Sequence, residues 1–145
     1  ENLPILGQVL IYPGLGGELT QGSSLTHANA PMLTRDDVLF YKDIRHAGPT
    51  PEADPTVSPL QDTDFTGLPM TLALAAECDP LADDARDYAA KITAAQGRAR
   101  WVLEPGLVHG YLRARHSVPR AAESFARIIT TITAFAENRW PMPKP

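Results

Sequence analysis

Two short stretches of this chain place an ionisable side chain among turn residues: Glu77-Cys78-Asp79-Pro80-Leu81 and Pro105-Gly106-Leu107-Val108-His109-Gly110-Tyr111. An aspartate followed later by a histidine is the pair that acid-base catalysis uses. The imidazole takes a proton from a nucleophile, while the carboxylate fixes its tautomer and stabilises the imidazolium that forms. For that chemistry both side chains must meet above one surface. Each residue also has a structural reading. Asp79 before Pro80 is a good helix start, since Asp is a favoured cap and Pro suits the first helical position. His109 before Gly110 also reads as a loop histidine bonded to a backbone carbonyl.

The other reactive side chains carry less. Cys78 is the one cysteine, so it forms no internal disulfide, and it reads as a small buried hydrophobe. No Cys/His spacing resembles a zinc site, and neither a metal nor a cofactor is expected. His27, His46 and His116 lack partners at useful spacing. Asp83, Asp84 and Asp87 fall in the first turns of an expected helix, where acids suit the macrodipole; a carboxylate metal site is the weaker reading. Glu77 is expected to make a local hydrogen bond or ion pair. Phe40 and Tyr41 suit an acyl pocket as well as a core. Arg113 and Arg115 read as surface ion-pairing groups rather than anion binders.

The elements that must position Asp79 and His109 follow from apolar runs and breakers. Ile5 to Tyr12 reads as a strand stopped by Pro13-Gly14-Leu15-Gly16-Gly17. Residues 13 to 31 read as loop, and Leu33, Val38, Phe40, Tyr41 and Ile44 as a short amphipathic helix with Thr34 as cap. Between Ala47 and Asp64, Pro49, Pro51, Pro55 and Pro59 break any regular element. Leu68 to Ala76 is apolar throughout, the mark of a strand covered on both faces. Asp83 to Gln96 carries Ala85, Tyr88, Ala89, Ile92 and Ala95 at helical spacing and stops at Gly97. Ala99 to Leu103 is a third strand and Glu104 to Tyr111 a loop. Ala121 to Glu137 is a last helix with Phe125, Ile128, Ile129, Ile132 and Phe135 inward.

Apolar strands alternating with helices indicate a parallel sheet, and in such sheets function sits in loops at the carboxyl ends of the strands. Asp79 and His109 occupy two of those loops. With 145 residues, 43% of them hydrophobic, and a net charge of −4, the chain has the composition of a globular domain. Its basic residues form nothing longer than the interrupted series Arg113, Arg115, Arg120, which gives nucleic acid no footprint. No apolar run approaches the roughly 18 to 20 residues of a membrane span. The first residues have no basic region leading into an apolar one, and the cytoplasm is the default compartment. Three strands leave a sheet edge open, and the chain enters a strand at once without an initiator Met; both lead to the expectation that the sheet continues in residues upstream of Glu1.

Val57-Ser58-Pro59-Leu60, Gly67-Leu68-Pro69, Ala76-Glu77-Cys78-Asp79-Pro80-Leu81-Ala82-Asp83-Asp84 and Val108-His109-Gly110-Tyr111 resemble, in the same order, stretches of the hormone-sensitive-lipase-like esterases of the α/β-hydrolase fold. Ile11-Tyr12-Pro13 resembles the strand end after that family's nucleophile helix. The resemblance implies the C-terminal part of an α/β-hydrolase sheet, about three parallel strands with flanking helices. Residues 1 to 145 would form a single partial domain in which 31 to 64 are a lid or substrate-facing segment. It implies a carboxylic-ester hydrolase of short to medium acyl esters, with Asp79 as triad acid and His109 as triad base. Leu81 and Tyr111 then join Phe40 and Tyr41 as substrate-lining candidates.

The family's GDSAGG elbow and HGGG oxyanion loop are absent from this sequence. Gly22-Ser23-Ser24-Leu25 lacks the second glycine and the strand-turn-helix setting that expose a nucleophile. The serine and oxyanion hole are therefore expected from the N-terminal half of the same hydrolase, with an ester as the small-molecule substrate. Loss of a catalytic serine costs about 10⁶ in turnover in a serine protease, so this chain alone is expected to be inactive. The alternative is a non-catalytic binding or dimerisation module on the same fold; homo-oligomers are compatible with either. Amidases and lactone hydrolases would share the pattern.

Overall fold

In the computed structural model, which describes residues 4–46 and 54–141, the three apolar runs are parallel strands: β1 (Gly7–Ile11), β2 (Met70–Cys78) and β3 (Ala99–Val108), in the spatial order β1-β2-β3. Four helices accompany them: α1 (Ser23–Thr26), α2 (Arg35–His46), α3 (Ala82–Ala94) and α4 (Pro119–Ala136). No helix among the described residues is long and apolar enough to cross a membrane.

Alternation along β2 explains its unbroken apolar sequence. Met70, Leu72 and Leu74 pack with Ile128 and Phe135 of α4, while Ala73 and Ala75 meet Ala82 and Ala85 of α3. One face thus takes large side chains, while on the other Ala73 and Ala75 present only methyl groups to α3, which lies close against the sheet there. Leu72 and Leu74 are wholly enclosed, and burying each stabilises the fold by roughly 1.5–3 kcal/mol. Farther along α3, Tyr88 and Ile92 close a second cluster with Leu15, Leu60 and Phe65.

The helix over the loop region is capped as its sequence suggests. The Thr34 hydroxyl accepts from the Asp37 amide at 3.1 Å, and Asp37 accepts in return from the Thr34 amide at 2.9 Å and its hydroxyl at 2.7 Å. Pro49 and Pro51 lie outside the described residues, as does the rest of 47–53 in the expected lid.

Four readings need correction. The 13–31 loop contains the short helix α1, too brief to show a period. Gly97 is not the left-handed residue ending α3; Gln96 is, at φ 64°. Gly97 instead brings its amide to the Ile92 carbonyl at 2.9 Å, where any side chain would collide with Ile92. β3 does not stop at Leu103: Glu104 is buried in the strand and paired with Arg127 at 3.3 Å, and Pro105-Gly106 lie in a bulge. The buried face of α4 is Ala121, Ser124, Ile128, Thr131, Ala134 and Phe135, whereas Phe125, Ile129 and Ile132 are exposed. Polar residues hid that face, because Thr131 satisfies its hydroxyl on the Arg127 carbonyl and Ser124 bonds to Tyr111.

Candidate functional site

Each strand delivers the residue just past its end to the same place: Tyr12 after β1, Asp79 after β2 and His109 after β3. Parallel strands end on one side of the sheet, so residues distant in sequence become neighbours there. Asp79 is 1% exposed, and its carboxylate is fully engaged. Oδ1 accepts the Leu81 amide at 2.9 Å, and Oδ2 accepts from His109 Nδ1 at 2.8 Å. Asp79 is not the cap of α3, which begins at Ala82 after Leu81. The His109 ring bonds to a carboxylate rather than to a backbone carbonyl. That bond assigns the proton to Nδ1 and leaves Nε2 as the free ring nitrogen. The side chain is 27% exposed, enough for Nε2 to meet a reactant.

The approach of His109 depends on the bulge. β2 advances from Ala76 to Cys78 while β3 advances from Glu104 to Val108, so β3 carries extra residues before its end. Glu77 bridges the gap by accepting the Gly106 amide at 2.7 Å, a bond to the neighbouring strand where a local hydrogen bond or ion pair was expected. Tyr12 supports the imidazole from the other side, with ring centroids 4.7 Å apart. Its backbone is in the left-handed region at φ 38°, costly for a tyrosine, and its amide continues the ladder to the Leu74 carbonyl at 2.7 Å. Burial raises the Tyr12 pKa, which keeps the phenol neutral. Sequence reasoning missed this contact; the available signal was an aromatic directly before proline at a strand end.

A cleft of about 380 Å³ opens beside His109, its wall including Leu33, Val38, Tyr41, Leu81 and the glycine-rich loop 14–17. Tyr41 and Leu81 line it. Phe40, 59% exposed, does not, and neither does Tyr111, which is buried behind His109 with its hydroxyl bonded to Ser124 at 2.6 Å and its pKa pushed up to about 12 by burial.

Asp84, expected to serve the helix dipole, instead holds the glycine loop. Its carboxylate accepts the amides of Leu15 at 2.7 Å and Gly17 at 3.3 Å, and burial raises its pKa against the lowering effect of those bonds. Asp83 accepts the Ser23 amide at 2.8 Å and pairs with Arg86, which also pairs with Asp87. Ser23 donates to the Pro80 carbonyl at 3.0 Å and Ser24 to the Leu19 carbonyl at 3.0 Å, so both hydroxyls of that stretch are engaged in structure. Cys78 is half-buried rather than enclosed. Arg113 and Arg115 form no ion pair among the described residues; Arg115 donates to the Leu112 carbonyl and lies over the Phe125 ring. His27 is half-buried and His116 exposed, while the His46 side chain lies outside the described residues. Among the described residues no three potential ligands gather to hold a metal ion.

Comparison with known proteins shows what the chain as a whole is similar to. The chain is 36% identical to carboxylesterase NlhH of Mycobacterium tuberculosis over 131 residues, covering 86% of this chain and 40% of that protein. It is 25% identical over 125 residues to ethyl acetate hydrolase of Pseudomonas putida, with 86% of this chain and 39% of that one covered. The chain thus spans about 40% of the length of these curated relatives. Carboxyl esterase 2 of the fungus Tuber melanosporum superposes with a TM-score of 0.78 at 27% identity, over 88% of this chain and 43% of that one. A family model described as alpha/beta hydrolase fold matches residues 1–113, which include Asp79 and His109, and the chain belongs to that α/β-hydrolase fold family.

Proposed function

We propose that this chain supplies the acid and base of a serine carboxylesterase, with Asp79 and His109 completing a triad whose serine lies on another segment of the complete protein. The observation that carries this reading is the 2.8 Å bond from His109 Nδ1 to a buried carboxylate, with the ring facing a cleft. His109 Nε2 accepts the proton of the serine hydroxyl as its oxygen attacks the ester carbonyl. Asp79 stabilises the resulting imidazolium. The proton then passes to the alcohol oxygen, which leaves, and the acyl group remains on the serine. Water repeats the sequence with the acyl-enzyme and releases the acid. Tyr12 and the bulge hold the ring in position, and the described residues of the 31–64 segment, among them Leu33, Val38, Tyr41, Val57 and Ser58, wall the cleft as a substrate-facing surface. Tyr41 and Leu81 are the wall residues nearest in kind to an acyl pocket.

In the complete protein, His109→Ala should lower turnover of a chromogenic short-chain ester by about 10⁴-fold or more, with an unchanged far-ultraviolet spectrum and melting temperature. Turnover within tenfold of the parent would remove His109 from the mechanism.

A further inference from the structure

The cleft beside His109 is charged in a way that ester hydrolysis does not require. Its wall holds two cations, Lys42 and Arg45 of α2, and one carboxylate, Asp84. Asp84 is already committed to the Leu15 and Gly17 amides. Neither Lys42 nor Arg45 has a hydrogen bond or ion pair among the described residues, whereas Arg35 of the same helix donates to the Leu19 carbonyl at 2.7 Å. The helix carries acids too, but they are segregated. At about 100° per residue, Val38, Tyr41, Lys42 and Arg45 fall within one arc of roughly 100°, and Asp36 and Asp43 lie on the far side, while Asp37, about 40° from Tyr41, is held by the Thr34 amide and hydroxyl at the cap. A local excess of positive charge thus faces the cleft of a chain whose net charge is −4.

We infer that the site selects short esters carrying a second, anionic group, a carboxylate held by Lys42 and Arg45 while the ester carbonyl lies at His109. The inference rests on the ester-hydrolase reading above and adds the substrate class. Arg45 offers paired donors matching the two oxygens of a carboxylate, and Lys42 a mobile point charge. The same wall carries Val38, Leu33 and Leu81, and these apolar side chains suit a short methylene spacer. Pairing at a solvent-accessible cleft contributes little per contact, so the preference is a matter of about fivefold to tenfold.

The test compares isosteric pairs in the complete protein: monomethyl succinate against methyl 4-methylpentanoate, with the carboxylate on the acyl side, and O-acetylglycolate against isobutyl acetate, with it on the alcohol side. In at least one pair the anionic ester should have the higher kcat/KM by about fivefold or more, and added salt should erode the ratio. In the Lys42→Gln, Arg45→Gln double variant that ratio should fall to one or below, and Lys42→Glu should turn it against the anion. Asp43→Asn, on the opposite face of α2, should leave the ratio unchanged. Neutral esters hydrolysed as well as their anionic partners in both pairs would overturn the inference while leaving the hydrolase reading intact. A preference that survives the double variant would also overturn it. No hydrolysis of any of the four would sink both.

Discussion

Asp79 uses its two oxygens for different purposes: one fixes the turn through the Leu81 amide and the other orients His109. The residue is not the helix cap that its sequence suggested, yet it shapes the turn before α3 while it orients the imidazole. Asp79 and His109 were legible as a pair because each follows an apolar run among turn residues and because the flanking stretches resemble a known esterase family; the turn residues alone left the structural readings open. Asp84 was not legible, since its partners Leu15 and Gly17 lie more than sixty residues away and only the fold brings them together. Its raised pKa has a consequence for stability. The folded chain holds this proton more tightly than the unfolded chain, so the contribution is complete below the ordinary aspartate pKa and is lost as pH rises through the folded value. Asp84→Asn removes that loss and keeps an oxygen for the Leu15 amide. The melting temperature of the variant minus that of the parent should accordingly be more positive at about pH 7 than at about pH 4; a change of opposite sign would contradict the assignment.

At the scale of elements, the three strands and the presence of helices α2, α3 and α4 were readable from apolar runs, periodicity and breakers, because burial on one or both faces imposes those patterns, whereas the buried face of α4 was not. Nor was the end of β3. Pro105-Gly106 stops a strand in ordinary sequence grammar, yet a bulge absorbs both, and nothing local announces that Glu77 on the neighbouring strand will accept the Gly106 amide. This contact sets where β3 releases His109. Glu77→Ala should therefore lower kcat for a neutral ester by about tenfold with KM and melting temperature little changed, and Glu77→Gln, which retains an acceptor, should recover most of the loss. Equal kcat in all three forms would make Glu77 a surface residue only.

For the whole molecule, the sequence pattern led to three parallel strands between helices, and the fold agrees, with α3 on one face and α4 on the other. The pattern led to Asp79 and His109 at neighbouring strand ends; what it could not supply was Tyr12 joining them, which depends on three strands ending together. The chain spans about 40% of the length of its curated relatives, so the proposed activity is one for the complete protein, to which, on that proposal, this part contributes the base and its orienting acid. The most direct test is a double-mutant cycle in the complete protein on a neutral short-chain ester, using Asp79→Asn, His109→Ala and the two combined. If the pair works as one unit, the double variant should be no slower than His109→Ala alone, with each single change costing about 10⁴-fold or more. Losses that multiply, or an Asp79→Asn enzyme as fast as the parent, would contradict the account.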